Sequence, residues 1–465
     1  MKIIRPRRKV ILLILCFFML IDYNHAQGSL SDVYIDPQNV DDTNTDGSYH
    51  HPYNSFGDIK FESGKTYHLK RSTELWLSEK IEIRNLSDIT FKAYGKGKIP
   101  VIHAGQVSKP FDIANSQYIK IKNIHIHGGD RSIYCLRIKG NSREISIHNC
   151  SFSNAMWGLR IMGVKEGIQH QNIRVTHSSI YNIGDDGIFA QNVSKLEIDS
   201  CDIRKVNQKW LHPGGSKTSA TGDGIQLLNC SDVVISRCLI DRTDTGNKFC
   251  VIFTHSENGK IIDNKLSGPV SSDYGGAAIY LGGHCDSMEV SHNRIEHAPA
   301  GIYSHAKNVL LYRNIVTEND LGMWANGNQK KLLINNTFWN NTIALNASNI
   351  RMYNNIFYSE QSKHAMLNIK APFSSDYNCY FTNKSSPVFE RYGSLFWFAK
   401  KTGEDSHSFF MDPLIEKHSN DEFVLKPNSP CIDKGTHNEL FIGAYQTSYC
   451  GKKVDIGAIE FCEEK

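Results

Sequence analysis

The sequence predicts an all-β fold in which short strands stack coil upon coil. The first observation is an apolar repeat that occurs ten times between residues 119 and 357, as in Ile119-x-Ile121-x-x-Ile124-x-Ile126. The second is the period-two alternation of apolar residues within each unit, which is typical of strands. The third is the spacing of the units, since equivalent positions recur every 19 to 37 residues. Repeats of this length indicate a solenoid.

Each unit contains two short strands separated by a bend, too little apolar surface to form a core alone, so the units have to stack. Stacked parallel coils place identical side chains in columns, and the sixth position of the unit has that character. This column contains Cys150, Ser178, Cys201, Cys238, Asn264, Asn293, Asn314, Asn336 and Asn355. We interpret it as structural, because a buried Asn amide that bonds neighbouring turns needs no function to explain it. The prediction is a parallel β-helix of about ten or more coils with capped ends.

The N-terminus has the pattern of a cleaved export signal. Basic residues from Lys2 to Lys9 precede an apolar run from Val10 to Ile21, and Asn24-His25-Ala26 follows. We therefore expect a signal peptide over residues 1–26 and a secreted or periplasmic protein. Cys16 offers lipid anchoring as the alternative, but the Leu15 that precedes it is bulkier than lipoprotein cleavage usually accepts.

Charge and cysteine content exclude some classes of partner. The formal net charge of +4 falls to about zero once residues 1–26 are removed, so overall basicity gives no argument for an anionic partner. Nucleic-acid binding is not expected, because the sequence has no basic stripe with interleaved aromatic residues. Of the twelve cysteines, Cys450 and Cys462 are the best candidates for a disulfide, and the others are expected to be mostly buried thiols.

We divide the mature chain into an N-terminal cap with the first coils (27–118), the core repeats (119–358), and the last coils with a C-terminal cap (359–465). The flanks read Tyr34-Ile35-Asp36-Pro37 at one end and Asp455-Ile456-Gly457-Ala458 at the other. Caps are needed because the last strands of a solenoid are otherwise open edges. We expect one large domain, a monomer without stable membrane insertion.

Together these segments resemble the secreted right-handed parallel β-helix proteins of carbohydrate-degrading bacteria, a fold shared by pectate lyases, polygalacturonases and several alginate and glycosaminoglycan lyases. The resemblance covers nearly the whole mature chain. It implies a polysaccharide substrate, but the fold hosts lyases, hydrolases, epimerases and non-catalytic binders.

Loop lengths predict where a functional site lies. In plain coils the next strand's central apolar residue follows after 7 places, whereas Ile203 to Ile225 takes 22, Ile240 to Val251 takes 11 and Leu266 to Ile279 takes 13. Insertions in three consecutive coils build a wall on one edge, and long loops in repeat proteins usually carry the site. Polar and aromatic candidates on or beside this wall are Trp210, His212, Gln226, Arg242 and Lys248.

Two Asp-Gly turns precede strands at this wall, Gly184-Asp185-Asp186-Gly187 and Gly222-Asp223-Gly224. In adjacent coils, Asp186 and Asp223 would lie about one strand spacing apart, roughly 5 Å. Close acids share a proton or bind a cation, and Ca²⁺ prefers hard oxygen ligands such as those of Asp185, Asp186 and Asp223. Ordinary turn chemistry is the alternative interpretation.

The residue after each central apolar residue should point outward from its strand. These residues are Arg137, Arg160, Phe189, Gln226, Ile252, Tyr280, Tyr303 and Trp324. Aromatic rings stack on sugars, and Arg or Gln binds hydroxyls or uronate carboxylates, so this column is interpreted as a glycan platform, with His305 nearby. The alternative is that exposed aromatic residues simply favour strands.

Three functions stay open, in a fixed order of preference. The first is β-elimination from a uronic-acid polysaccharide, with Lys248 as base, Arg160 or Arg242 on the sugar carboxylate, and Ca²⁺ held by the acids; a histidine such as His212 is a further base candidate. The second is glycoside hydrolysis by paired Asp residues, although the Asn-Thr-Asp, Gly-His-Gly and Arg-Ile-Lys segments of polygalacturonases have no counterparts here. The third is glycan binding without catalysis.

Overall fold

The protein was analysed as a computed structural model, which describes residues 32–57, 59–164, 171–208, 222–243, 248–270, 276–360, 364–382, 387–419, 422–437 and 449–462. The predicted signal peptide (1–26) lies outside these residues. Within them, no helix is long and apolar enough to cross a membrane.

Stacked parallel strands form nearly all of the described chain, as the repeat predicted. Each coil contributes one strand to each of three faces, which follow one another in the chain as face one, face two and face three. Faces one and two join into one 24-stranded sheet because two long strands run through both, and face three is a 14-stranded sheet. About twelve coils stack in this way, which confirms the predicted all-β solenoid.

The strands of face one are Ile81–Arg84, Phe111–Ala114, Tyr134–Lys139, Trp157–Met162, Ile188–Gln191, Ile225–Leu228, Phe249–Thr254, Ala277–Leu281, Ala300–Ser304 and Leu321–Ala325. Those of face two are Asp32–Ile35, Thr66–Lys70, Ser87–Tyr94, Gln117–Lys122, Arg143–His148, Gln171–Thr176, Leu196–Asp199, Val234–Ser236, Lys260–Ile262, Met288–Ser291, Val309–Tyr312 and Lys331–Ile334. Ile343–Tyr353 and Leu367–Asp376 span both faces.

Face three consists of Glu74–Trp76, Val101–His103, His125–His127, Ser151–Ala155, Ser179–Ile183, Asp202–Arg204, Leu239–Asp241, Lys265–Ser267, Arg294–Glu296, Ile315–Thr317, Thr337–Trp339, Ile356–Ser359, Cys379–Thr382 and Phe409–Phe410. The only antiparallel pair among the strands of the described ranges is the hairpin of Ile415–Lys417 with Phe423–Leu425. One α-helix, Leu395–Thr402, follows the last complete coil.

The core consists of columns of β-branched and leucine side chains. Ile119, Ile145, Ile173 and Leu196 lie in register on successive coils and are at most 1% exposed. Because successive side chains of a strand point to opposite sides, the apolar set faces inward and the polar set outward. Neighbouring coils bury each other's apolar edges, which is why no unit folds alone.

The predicted polar column is a continuous hydrogen-bonded ladder. Each Asn side-chain amide donates to the Oδ1 of the next Asn at 2.9 to 3.1 Å, through Asn264, Asn293, Asn314, Asn336, Asn355 and Asn378. Earlier in the column, the thiols of Cys150, Cys201 and Cys238 are buried without disulfide bonds. The ladder satisfies buried amides and fixes the register of the coils.

Both ends of the solenoid are covered. At the N-terminal end, Phe61 packs on Tyr67 and Phe91 of the first coils. At the C-terminal end, Phe398 of the helix stacks on Phe389 at 4.0 Å. The predicted disulfide between Cys450 and Cys462 is present in the C-terminal tail.

Candidate active site

The three long insertions leave the solenoid at the same corner, between face three and face one. They connect the strands that end at Arg204, Asp241 and Ser267 to the face-one strands that begin at Ile225, Phe249 and Ala277. The prediction that these insertions lie on one edge is therefore confirmed. Residues 209–221, with the predicted substrate contacts Trp210 and His212, lie outside the described residues, as do 244–247 and 271–275.

Asp186 and Asp223 are neighbours on adjacent coils, as the Asp-Gly turns predicted. The Oδ1 of Asp186 accepts a hydrogen bond from the backbone N–H of Asp223 at 2.7 Å, and the N–H of Gly187 donates to the carbonyl of Asp223 at 2.9 Å. Asp223 repeats the arrangement, because its Oδ1 accepts from the N–H of Phe249 on the next coil at 3.0 Å. Each carboxyl group therefore leans one coil along the solenoid and is fixed by the backbone of its neighbour.

Gly222 permits this close stacking. A Cβ atom at Gly222 would lie 2.3 Å from the carbonyl oxygen of Asp185 and 2.7 Å from its Cα. No side chain fits against a backbone at that distance, so the residue before Asp223 has to be glycine. The glycine that precedes Asp223 in the Gly-Asp-Gly sequence thus has a local steric reason, beyond ordinary turn chemistry.

The two carboxyl groups are buried and hold their protons more tightly than a free carboxyl group. Asp186 is 3% exposed and Asp223 is 2% exposed. Burial, together with the charges of Asp223 and Asp185, raises the pKa of Asp186 well above its usual range. Burial also raises the pKa of Asp223 to about 7, against the opposing effect of Arg242 and Lys248. A buried acid pair of this kind retains a proton near neutral pH.

Arg242 lies behind the acid pair, and its predicted contact with substrate is not supported by this position. Its side chain is 0% exposed, and Nη1 donates to the carbonyl of Phe249 at 3.0 Å. The charge of the guanidinium opposes part of the rise in the pKa values of Asp186 and Asp223. Arg242 therefore acts as an internal counter-charge, because the corner of the coil encloses it.

A pocket of about 210 Å³ opens over the acid pair. Its lining residues are Trp157, Arg160, Asp185, Asp186, Phe189, Asp223, Gln226, Lys248, Phe249 and Ile252. Asp223 and Lys248, which come from different insertions, therefore meet in one pocket, as the sequence predicted. Arg160 and Gln226, predicted as catalytic and substrate-binding residues, line the same pocket.

Arg160 is held among aromatic rings at one side of the pocket. Its guanidinium carbon lies 4.3 Å from the ring centroid of Trp157 and 5.8 Å from that of Phe189. Burial and the nearby Arg137 lower the pKa of Arg160. Its Nε is buried without a hydrogen-bond partner among the described residues. A half-buried cation with an unused donor is suited to bind a carboxylate.

The predicted outward column exists as one register ladder. Arg137 pairs with Arg160, Arg160 with Phe189, and the ladder continues through Gln226, Ile252, Tyr280, Tyr303 and Trp324. Arg137 differs from Arg160 because Asp112 binds it at 2.6 Å. Of the ladder residues, Arg160, Phe189, Gln226 and Ile252 line the pocket, whereas the charge of Arg137 is already paired with Asp112.

The aromatic rings of the ladder stack on one another, whereas the predicted platform required ring faces open to a sugar. Tyr280 stacks on Tyr303 with 5.5 Å between ring centroids, and Tyr303 on Trp324 with 4.4 Å. His305 contacts all three rings edge-on. Because the rings stack on one another along the solenoid axis, both faces of Tyr303 are covered. A sugar can reach ring edges and hydroxyl groups here, but not the face of that ring.

Two pocket residues were missed by the sequence analysis. Trp157 and Phe249 lie two residues before the central apolar residues Leu159 and Val251, the same place in the coil that Asp186 and Asp223 occupy before theirs. The shared position in the repeat was a usable signal. It was overlooked because only acidic residues at that position were considered.

The oxygen atoms of the acid pair are too few and too occupied for the predicted Ca²⁺ site. Ca²⁺ requires six to eight oxygen ligands, whereas one oxygen each of Asp186 and Asp223 already accepts a backbone N–H. Among the described residues, no group of three or more His, Cys, Asp or Glu side chains is arranged to hold a metal ion. The described residues therefore do not fit Ca²⁺, and no step below depends on it.

Comparison with known proteins identifies the fold. The model of the right-handed beta helix region family matches residues 111–271 and 249–397. No curated protein matches the sequence. The structure is similar to the PL6 family alginate lyase AlyGC (TM-score 0.57, 12% identity), covering 85% of this chain and 55% of that one, so this chain spans about half of that enzyme's length.

Two further solved structures are also similar. One is the pectate lyase Pel9A, with a TM-score of 0.42 and 15% identity, covering 94% of this chain and 98% of that chain. The other is the GH136 lacto-N-biosidase from Eubacterium ramulus, with a TM-score of 0.39 and 11% identity, covering 85% and 69%. At such identities the likeness concerns the fold, and the chemistry has to be argued from the pocket.

Proposed function

The chain belongs to the right-handed β-helix family, and we propose that within this fold it is a secreted enzyme that cleaves an acidic polysaccharide by β-elimination. The observation that supports this proposal is the meeting of Asp223 and Lys248 in one pocket with Arg160. Arg160 is a cation that can bind a sugar carboxylate, and an amine and a carboxyl group that retains its proton near neutral pH lie in the same pocket. A neutral sugar would leave the charge of Arg160 without a partner.

The chemistry of elimination assigns a role to each of these groups. Arg160 binds the uronate carboxylate, which makes the proton on the adjacent carbon more acidic, and protonated Asp223 is the acid for the leaving oxygen. Lys248, as the free amine, removes that proton. The carbon–carbon double bond then forms, the glycosidic carbon–oxygen bond breaks, and the electron pair leaves with the oxygen, which takes up the proton of Asp223. The products are an unsaturated uronate and a new end of the chain.

Inverting hydrolysis by Asp186 and Asp223 is less well supported. That mechanism needs the two carboxyl groups about 6.5 to 9.5 Å apart to admit a water molecule. Both carboxyl groups lean in the same direction by one coil, so their separation is close to one strand spacing, about 4.8 Å. There is too little room between them for water, whereas elimination needs none.

Retaining hydrolysis is the second candidate, because its two carboxyl groups lie about 5 to 5.5 Å apart. The spacing of Asp186 and Asp223 favours it. Their raised pKa values do not, since the nucleophile has to be ionised and burial favours the protonated form of both carboxyl groups. Glycan binding without catalysis is a third outcome, in which the pocket would hold a sugar acid and leave it intact.

One assay separates these functions. The mature protein, residues 27–465, is incubated with a panel of acidic and neutral polysaccharides. Elimination produces near-ultraviolet absorbance from unsaturated uronates, while hydrolysis produces new reducing ends without that absorbance. Binding without either product would contradict both enzymatic proposals.

A further inference from the structure

Three lysine side chains lie together on face two, near the N-terminal end of the solenoid. Lys92 and Lys122 are directly opposite each other in register on adjacent coils, and Lys120 is two residues before Lys122 on the same side of its strand. None of the three forms an ion pair with any described residue. Like charges directly opposite on neighbouring strands are destabilising.

Three other cations on or beside this face are paired. Arg174 binds Glu197 at 3.2 Å, Arg237 binds Asp199 at 2.5 Å, and Lys260 binds Glu289 at 3.3 Å, each with an acid on a neighbouring coil. The strands that carry Lys92, Lys120 and Lys122 lack such an acidic partner among the described residues of the neighbouring coils. A bound anion would offset the repulsion among them.

An aromatic cavity of about 520 Å³ adjoins these lysines. Tyr34 stacks on His68 with 4.4 Å between ring centroids. Tyr49 and Tyr94 contact Tyr34 in edge-to-face geometry, with centroid distances of 5.3 and 5.2 Å. Lys92 also lines the cavity, as does Lys96. Tyr49 is 51% exposed, so an aromatic cluster meets solvent beside ammonium groups that form no ion pair within the described part of the chain.

The combination of these features indicates an acidic sugar. Tyrosine rings and hydroxyl groups suit the apolar and polar sides of a pyranose, and ammonium groups suit its carboxylate or sulfate. We name this surface the lysine groove and define it by Tyr34, Tyr49, His68, Lys92, Tyr94, Lys96, Lys120 and Lys122. We propose that the lysine groove binds a segment of an acidic polysaccharide at a second, non-catalytic site.

The lysine groove is separate from the pocket. Lys92 belongs to the first complete coil, and Asp223 precedes the face-one strand of the sixth, so they lie about 24 Å apart along the axis at one strand spacing per coil. They also lie on different faces. A polysaccharide held at the lysine groove would keep other parts of the same chain near the pocket and raise their effective concentration.

The inference rests on the proposed function for the identity of the sugar acid, and its test uses binding alone. Both variants carry D223N as well, so that the substrate stays intact. The affinity for an end-labelled polyuronate is measured for K92Q/K122Q. The control is K307Q/K401Q, which removes the same charge from exposed lysines elsewhere. We expect about tenfold weaker binding for K92Q/K122Q and unchanged binding for the control. Equal affinities of the two variants would overturn the proposal.

A second variant distinguishes a glycan from other anions. Y49A removes an aromatic ring without changing charge, so we expect weaker binding of polyuronate and an unchanged response to inorganic phosphate. Single-stranded DNA of matched charge that binds as tightly as polyuronate, and that is insensitive to Y49A, would contradict a glycan site. If no polysaccharide is cleaved and K92Q/K122Q still weakens polyuronate binding, the proposed function fails and this inference stands.

Discussion

Phe249 donates its backbone N–H to the Oδ1 of Asp223 at 3.0 Å, and Phe249 directly follows Lys248 in the chain. One hydrogen bond therefore ties the acid of one coil to the residue beside the amine of the next. The stacking of coils therefore fixes the backbone beside Lys248 relative to the carboxyl group of Asp223. This relation explains why residues from two separate insertions can serve one reaction.

Replacing Asp223 by Asn is expected to abolish most activity without unfolding the protein. The Asn Oδ1 still accepts from the N–H of Phe249, but the side chain can no longer exchange a proton. Loss of an acid or base contribution lowers kcat by about 100-fold to 10,000-fold. The control is D232N, at an exposed turn on another corner, and activity of D223N equal to that control would exclude the proposed role.

Lys248 is expected to be needed as a base and not only as a charge. K248R preserves the positive charge but cannot give up its proton, so we expect it to lose kcat about as completely as K248Q. The measurement is kcat/KM on a polyuronate for both variants. A K248R variant with near-wild-type kcat would show that the position contributes electrostatics alone.

Arg160 is expected to control affinity for the acidic group of the substrate. R160Q removes the half-buried cation beside Trp157, and we expect KM to rise by about tenfold or more with a smaller effect on kcat. The exposed Arg351 on face two provides the control R351Q. An unchanged KM for R160Q would mean that the sugar carboxylate is bound elsewhere.

Stability should depend on pH through Asp223. Its carboxyl group titrates near 3.8 in the unfolded chain and at about 7 in the fold, so the folded state binds more protons between these values. Its contribution is therefore fully present below about pH 4 and is lost as pH rises through about 7. We expect the Tm of the wild type to fall across this window more steeply than the Tm of D223N. Parallel Tm curves would contradict the raised pKa.

The Asn ladder is expected to be a source of stability without a role in catalysis. N314A removes one buried amide, so the backbone N–H of Asn293 loses its acceptor, the Oδ1 of Asn314, and the Nδ2 of Asn293 loses one of its two acceptors. An unsatisfied buried polar group costs about 1 to 3 kcal/mol. Denaturant unfolding measures this loss, and unchanged kcat at low temperature separates it from effects on the pocket. A variant as stable as the wild type would show that the ladder is replaceable.

The repeat was sufficient to predict the fold, the direction of side chains in the outward column, and the meeting of Asp223 with Lys248. These features follow from register, which a period of two determines once the coils stack. The burial of Arg242 was not predictable in the same way, because it depends on how the corner beside an insertion closes over the side chain. The stacking of Tyr303 between its neighbours was missed because the column was considered one residue at a time.

The most direct test of the central claim is the product formed from a polyuronate by the wild-type protein, D223N and K248Q, measured side by side by near-ultraviolet absorbance and reducing ends. The account predicts unsaturated products from the wild type and almost none from either variant. New reducing ends without absorbance, or equal product from all three proteins, would contradict an elimination centre formed by Asp223 and Lys248.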